Sequence, residues 1–198
     1  MNTPSEEWRI ILLSGPAGSG KSTLVKRLLA DPPVPLEMSI SATTRPMRPG
    51  EVNGEDYHFL SPEEFEQKRL AGEFIEYAEV HRSGYWYGTL ESEIDRIRSL
   101  DKWVLLEIDV EGALNLLKLY PNTLSIFIRT PSFEEYERRL KDRQTETAEV
   151  IERRLQTAKK ELQLADSYRY QVVNDDLDRA TQEIKDLIIR WEADLHAG

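Results

Sequence analysis

Five short apolar runs punctuate the chain, and an amphipathic stretch follows most of them. RIILLS (9–14), MSISA (38–42), WVLLEID (103–109), SIFIRT (125–130) and YQVVN (170–174) read as strands. Helical spacing of apolar positions fills 21–30, 111–119, 132–142, 146–164 and 177–196. Several of the strands are apolar at consecutive positions, so both of their faces must be covered. Buried strands alternating with helices predict an α/β fold, a parallel sheet flanked by helices on both sides.

The stretch 55–89 has a different pattern. DYHFL, EFIEYAEV and YWYGT are short, aromatic and alternating, which predicts a small antiparallel patch with one wet face. A helix interrupts it at SPEEFEQKRLAG (61–72), with Ser61 as N-cap, Glu64 three positions on and Gly72 at the end. The reading is one domain over 1–198 with an inserted mixed α/β lobe at 39–89. Its core takes 8–38, 90–131 and 165–198, and an arginine-rich helical excursion occupies 132–164.

Composition narrows the function classes. A net charge of −10 is spread along 198 residues, which disfavours nonspecific nucleic-acid binding. There is no cysteine, so neither a disulfide frame nor a thiolate metal site is available, and His58, His81 and His196 are too scattered for a ligand cluster. No apolar run approaches the roughly 18 residues of a membrane span, and MNTPSEEW lacks the basic and apolar regions of a signal peptide. A cytoplasmic protein without a membrane partner is expected.

Residues 15–23, GPAGSGKST, match G-x-x-x-x-G-K-[ST] between an apolar strand and a helix-forming run. Glycines let successive backbone N–H groups curl around a polyphosphate, and the helix N-terminus adds partial positive charge. Gly15, Pro16, Ala17, Gly18, Ser19, Gly20, Lys21, Ser22 and Thr23 are therefore expected to bind ATP. Lys21 suits the β- and γ-phosphates, and the Ser22 hydroxyl suits Mg²⁺. In SISATTRPMRPGE (39–51), Arg45 and Arg48 flank a proline-restrained turn, and two guanidinium forks so held suit a phosphate monoester. Tyr57 and Tyr87 could add phenolic donors to the same anion. A solvated basic turn explains those arginines equally well on the residues alone.

From about Trp8 to Trp191 the chain resembles the guanylate kinases. The motifs run in the family's order: GPAGSGKST, SISATTRPMRPGEVNGEDYHF, FIEYAEV, YGT, LEIDVEGA, RRLKDRQTET, ERRL and VVNDDLD. The resemblance implies phosphorylation of GMP, and of dGMP, by ATP with Mg²⁺. Residues 39–89 would then bind GMP and 132–164 would form a lid. It places Arg45, Arg48, Tyr57 and Tyr87 on the GMP phosphate, and Ser41, Glu76, Thr89 and Asp109 about the guanine. The chemistry agrees, because guanine N1 and N2 both donate and one carboxylate accepts from both, whereas adenine would leave a buried Glu76 unpaired.

Asp109, ending a strand at its carboxyl edge, and Glu107, where many relatives carry aspartate, would order water around Mg²⁺ beside Ser22. Arg139, Arg143 and Arg154 match the lid and phosphate-contacting arginines and join Lys21 and Arg45 as catalytic candidates. Arg138 and Arg153 read as surface residues, and Glu135 is spaced to pair with Arg139.

Two departures stand out. Asp142 and Gln144 replace glycines that relatives often have around Arg143, and HRSGYWYGT (81–89) is longer than usual, with Trp86 in place of a common tyrosine. Two other readings compete. A non-catalytic interaction module would lack an intact phosphate loop, and a kinase for a phosphorylated ribose would lack the guanine-reading set.

Overall fold

A computed structural model of the chain describes residues 9–79, 84–142 and 148–197. The strands are β1 (Ile10–Ser14), β2 (Leu36–Met38), β3 (Ala42–Thr43), β4 (His58–Phe59), β5 (Phe74–Glu79), β6 (Trp86–Leu90), β7 (Trp103–Glu107), β8 (Leu124–Arg129) and β9 (Tyr170–Val173). The helices are α1 (Lys21–Ala30), α2 (Pro62–Leu70), α3 (Glu91–Ser99), α4 (Val110–Leu119), α5 (Phe133–Asp142), α6 (Ala148–Leu162) and α7 (Leu177–Ala197).

β2-β7-β1-β8-β9 form a five-stranded sheet in which every pairing is parallel. Strand β1 shows why its sequence is apolar at every position. Ile11 and Leu13 pack with Leu24, Leu28, Ile184 and Ile188 of α1 and α7. Ile10 and Leu12 point the other way, into Ile94, Ile97, Val110 and Leu116 of α3 and α4. With both faces sealed, truncating Leu12 to alanine costs about 2–5 kcal/mol.

The inserted lobe has its own sheet, β4-β3-β6-β5, and a small separate core of Ala42, Phe65 and Leu90. Here the antiparallel expectation holds for β5–β6 and β3–β6 only. β3 and β4 run parallel, with Ala42 opposite His58, which corrects the all-antiparallel reading. MSISA is also not one strand. Met38 ends β2 in the core sheet, and Ala42 begins β3 in the lobe sheet. Between them the Ser39 N–H still reaches Leu105 O, while the Ile40 N–H turns to the Glu93 carboxylate, so the ladder ends there.

Helix α2 carries the anticipated capping box. Glu64 N–H donates to Ser61 Oγ at 3.1 Å, Ser61 N–H donates to Glu64 Oε2 at 2.7 Å, and Gly72 beyond the end has φ 73°. Helix α3 was not foreseen. Its signals were Ile94 and Ile97 one turn apart, with acids in the first turn and arginines in the last, matching the helix dipole. Among the described residues, no helix is long and apolar enough to cross a membrane.

Candidate active site

The loop between β1 and α1 lies at the carboxyl edge of the central sheet. Gly15 has φ 143°, and a Cβ there would sit 2.1 Å from Ile128 O, so no side chain fits where the loop presses on β8. Asn174, just past β9, holds the loop from behind, its Nδ2 donating to Ser19 O at 2.8 Å. The Lys21 ammonium folds back over the loop and donates to Gly15 O at 2.5 Å and Pro16 O at 3.3 Å. Ser22 Oγ donates to Glu107 Oε1 at 2.6 Å, which puts a hydroxyl and a carboxylate beside the loop.

A cavity of about 320 Å³ opens in front of these groups. Lys21, Ser22, Glu107, Asp109 and Arg154 line one part of it, and Ser41, Tyr57, Glu76 and Tyr87 line another. Candidates from six separate stretches of sequence therefore meet around one space. Four carboxylates line it, Asp56, Glu76, Glu107 and Asp109. Glu76 is 6% exposed and accepts the Thr89 hydroxyl at 2.7 Å. Burial pushes its carboxyl up to about 7; the Thr89 hydrogen bond opposes the rise and nearby Asp109 adds to it. Asp109 caps α4 by accepting the Gly112 N–H at 2.8 Å. A further carboxyl outside the lining, Glu161 on α6, is also pushed up to about 7 by burial, against the pull of the Lys21 charge.

Gly112 is a functional position that the sequence reading did not single out. A Cβ there would stand 2.5 Å from Glu76 Oε2, so the bare α-carbon makes room for that carboxylate. Glu51 is another. Its two oxygens take Arg45 Nη2 at 2.8 Å and Nη1 at 2.9 Å, and one also accepts the Arg48 N–H at 2.7 Å. The Arg45 guanidinium, 8% exposed, lies over the rings of Tyr57 and Phe59. It is thus a pre-set fork, held chiefly by Glu51, with Tyr87 a further partner. Arg48 is exposed on the turn.

The arginine excursion divides as follows. Arg154 reaches the cavity wall. Arg139 lies behind the phosphate loop instead, pairing with Glu135 at 2.7 Å and donating to Asn174 O at 2.8 Å and Ser19 O at 3.5 Å. Its contact in this state is with the loop's backbone rather than with the open cavity. Arg138 is a surface residue paired with Glu135 and Asp142. Arg143 and Gln144 lie outside the described residues.

Comparison with known proteins bears on the family of the chain. A family model for guanylate kinase matches residues 7–190. A guanylate kinase of Rhodopirellula baltica is 44% identical over 182 residues, covering 91% of this chain and 87% of that protein. One from a Nostoc species is 48% identical over 178 residues, covering 89% of this chain and 87% of its own. The solved structure of a guanylate kinase from Anaplasma phagocytophilum superposes with a TM-score of 0.73 at 34% identity, over 92% of this chain and 85% of the other. With a phosphate-loop lysine and a buried carboxylate around one cleft, and a match over nearly its whole length, the chain belongs to the guanylate kinase family.

Proposed function

We propose that this protein transfers the γ-phosphoryl group of ATP to GMP, and to dGMP, giving ADP and the nucleoside diphosphate. The observation that carries this reading is Glu76, a buried carboxyl facing the same cavity as Lys21 and Ser22. Its ionised form accepts from guanine N1–H and N2–H together. Adenine offers no such donor pair, so a bound adenine would leave Glu76 buried without partners. The Thr89 hydroxyl fixes the carboxylate, and Ser41 and Asp109 flank the base.

Arg45 and Arg48, with Tyr57 and Tyr87, hold the GMP phosphate. Glu51 occupies the Nη1 and Nη2 edge of Arg45 and fixes the plane of its guanidinium, so the group is already oriented when the anion arrives and meets it with its remaining N–H groups or by exchange with Glu51. The ATP phosphates lie in the backbone cradle of Gly15 to Thr23, and Lys21 exchanges its carbonyl partners for them. An oxygen of the GMP phosphate attacks γ-phosphorus in line. The bond to the β–γ bridging oxygen breaks, and ADP leaves with that oxygen. No covalent protein intermediate is needed, because alignment and charge stabilisation lower the barrier. Arg154 at the cavity wall, with Arg143, meets the charge spread over the migrating group, while Arg139 braces the phosphate loop from behind through Ser19 O and Asn174 O.

The residues beside the loop fit Mg²⁺. Ser22 and Glu107 form a hydroxyl–carboxylate pair with Asp109 close by, all hard oxygen donors. Among the described residues, no cluster of three or more histidine, cysteine or carboxylate groups could hold a metal alone. That suits an ion that fills most of its shell with water and phosphate oxygens. Bound there with ATP, Mg²⁺ neutralises phosphate charge.

Coupled ADP release with ATP and a panel of GMP, dGMP, AMP and UMP tests the reading. Turnover with GMP and dGMP and little with AMP or UMP is expected. Equal use of AMP, or no turnover with any acceptor, would contradict it.

A further inference from the structure

Behind the lobe, away from the nucleotide cleft, an ionic network ties the lobe to the core. Its centre is Glu93 on α3, 7% exposed. Glu93 Oε2 accepts the Ile40 N–H at 3.2 Å and Arg96 Nη2 at 3.0 Å, and Oε1 lies 3.3 Å from His58 Nε2. Arg96 in turn pairs with Glu37 of β2, which Lys102 holds at 2.7 Å. Burial pushes the Glu93 carboxyl up, but the hydrogen bonds from Arg96, Ile40 and His58 more than offset this, so it stays ionised.

The two lobe groups that Glu93 touches have informative neighbours. Ile40 directly precedes Ser41, and His58 directly follows Tyr57. Ser41 and Tyr57 line the nucleotide cavity, whereas Ile40, His58 and Glu93 line a second cavity of about 750 Å³ behind it. Successive residues of extended chain face opposite ways, so a grip on one fixes the direction of the next. The lobe has a small core of its own, and Ile75 of β5 also packs with the main-sheet cluster, so the Glu93 network is a second tie between lobe and core, on the side of Ile40 and His58. Only Glu93 in this network is buried, its partners being half-exposed, and a half-exposed ion-pair network of this kind adds little to stability by itself.

We propose that Glu93 is a positioning residue for the acceptor nucleotide, fixing Ser41 through the Ile40 N–H and Tyr57 through the His58 ring. The inference rests on the reading of this lobe as the GMP site.

The test is a set of double-mutant cycles on the full-length protein. Glu93→Ala should raise the KM for GMP about tenfold, the scale of one charge-assisted hydrogen bond, with the KM for ATP within twofold of wild type. Glu93→Gln retains an oxygen for the Ile40 N–H and should recover part of the loss; His58→Gln removes one arm only and should give a smaller rise. Combined with Ser41→Ala or Tyr57→Phe, the Glu93 change should be less than additive. Combined with Thr89→Ala on β6, whose hydroxyl bonds Glu76 instead, it should add. If Glu93→Ala does not fold, the Gln variant and His58→Gln carry the same cycles. Additive behaviour with both Ser41 and Tyr57, or equal rises in the KM for GMP and ATP, would overturn the proposal while leaving the GMP reading intact. A wild-type protein that forms no GDP from GMP would overturn both.

Discussion

Gly112→Ala separates substrate recognition from folding at a single atom. Gly112 is the third residue of α4, in ordinary helical backbone, so alanine is conformationally allowed. The added Cβ would meet Glu76 Oε2 at 2.5 Å and Asp109 Oδ1 at 3.6 Å. Carbon packs at about 3.5 Å or more, so the carboxylate must retreat by about 1 Å. Hydrogen bonds occupy a window only about 0.5 Å wide, so a retreat of that size removes Glu76 from the guanine edge. Losing a hydrogen bond to a charged group costs about 1.5–3 kcal/mol, or about 10- to 150-fold in kcat/KM for GMP. The fold should not suffer, because the displaced atom ends a flexible side chain and alanine favours helix over glycine by up to about 1 kcal/mol. Steady-state kinetics beside a thermal melt give the readout: a lower kcat/KM for GMP, an unchanged KM for ATP and a Tm equal to or above wild type. Wild-type GMP kinetics in this variant would refute the placement of guanine against Glu76.

Lys21→Ala should lower kcat by orders of magnitude while calorimetry with GMP alone stays near wild type, since Lys21 serves the ATP side. Loss of GMP binding as well would mean that its grip on Gly15 and Pro16 maintains the whole cleft. The third prediction is a pH dependence. Burial lifts Glu76 to about 7 from an ordinary 4.5, so the stability linked to its proton is complete below about 4.5 and is lost as pH rises through about 7. Guanine prefers the carboxylate, so GMP binding should release a proton near neutrality and tighten between pH 6 and 8. Calorimetry in two buffers of different ionisation enthalpy should detect that release in wild type and not in Glu76→Gln.

The central sheet was legible because β1, β7 and β8 are apolar on both faces, and burial on both sides leaves no other arrangement for such runs. Helix α2 was legible down to its capping box because caps are local. Helix α3 escaped notice because charged residues dominate it and only Ile94 and Ile97 mark its buried side. MSISA misled because an apolar run does not reveal that its two halves join different sheets. In the cleft, the phosphate loop and Ser41, Tyr57, Glu76, Tyr87 and Asp109 were named from motifs, and they do converge. Glu51, Gly112 and Asn174 were missed for one reason. Each acts by approaching a group distant in sequence or folded back across a turn, which residue type and spacing do not encode.

Guanine recognition by Glu76 is the point on which the functional account turns, and Glu76→Gln tests it with the least structural disturbance. The amide keeps the volume and can still accept the Thr89 hydroxyl, but it cannot accept from guanine N1–H and N2–H at once. Coupled ADP release should show kcat/KM for GMP reduced about 10- to 150-fold, the cost of about 1.5–3 kcal/mol for one charged hydrogen bond, with the KM for ATP unchanged. Full GMP turnover in Glu76→Gln would contradict the account.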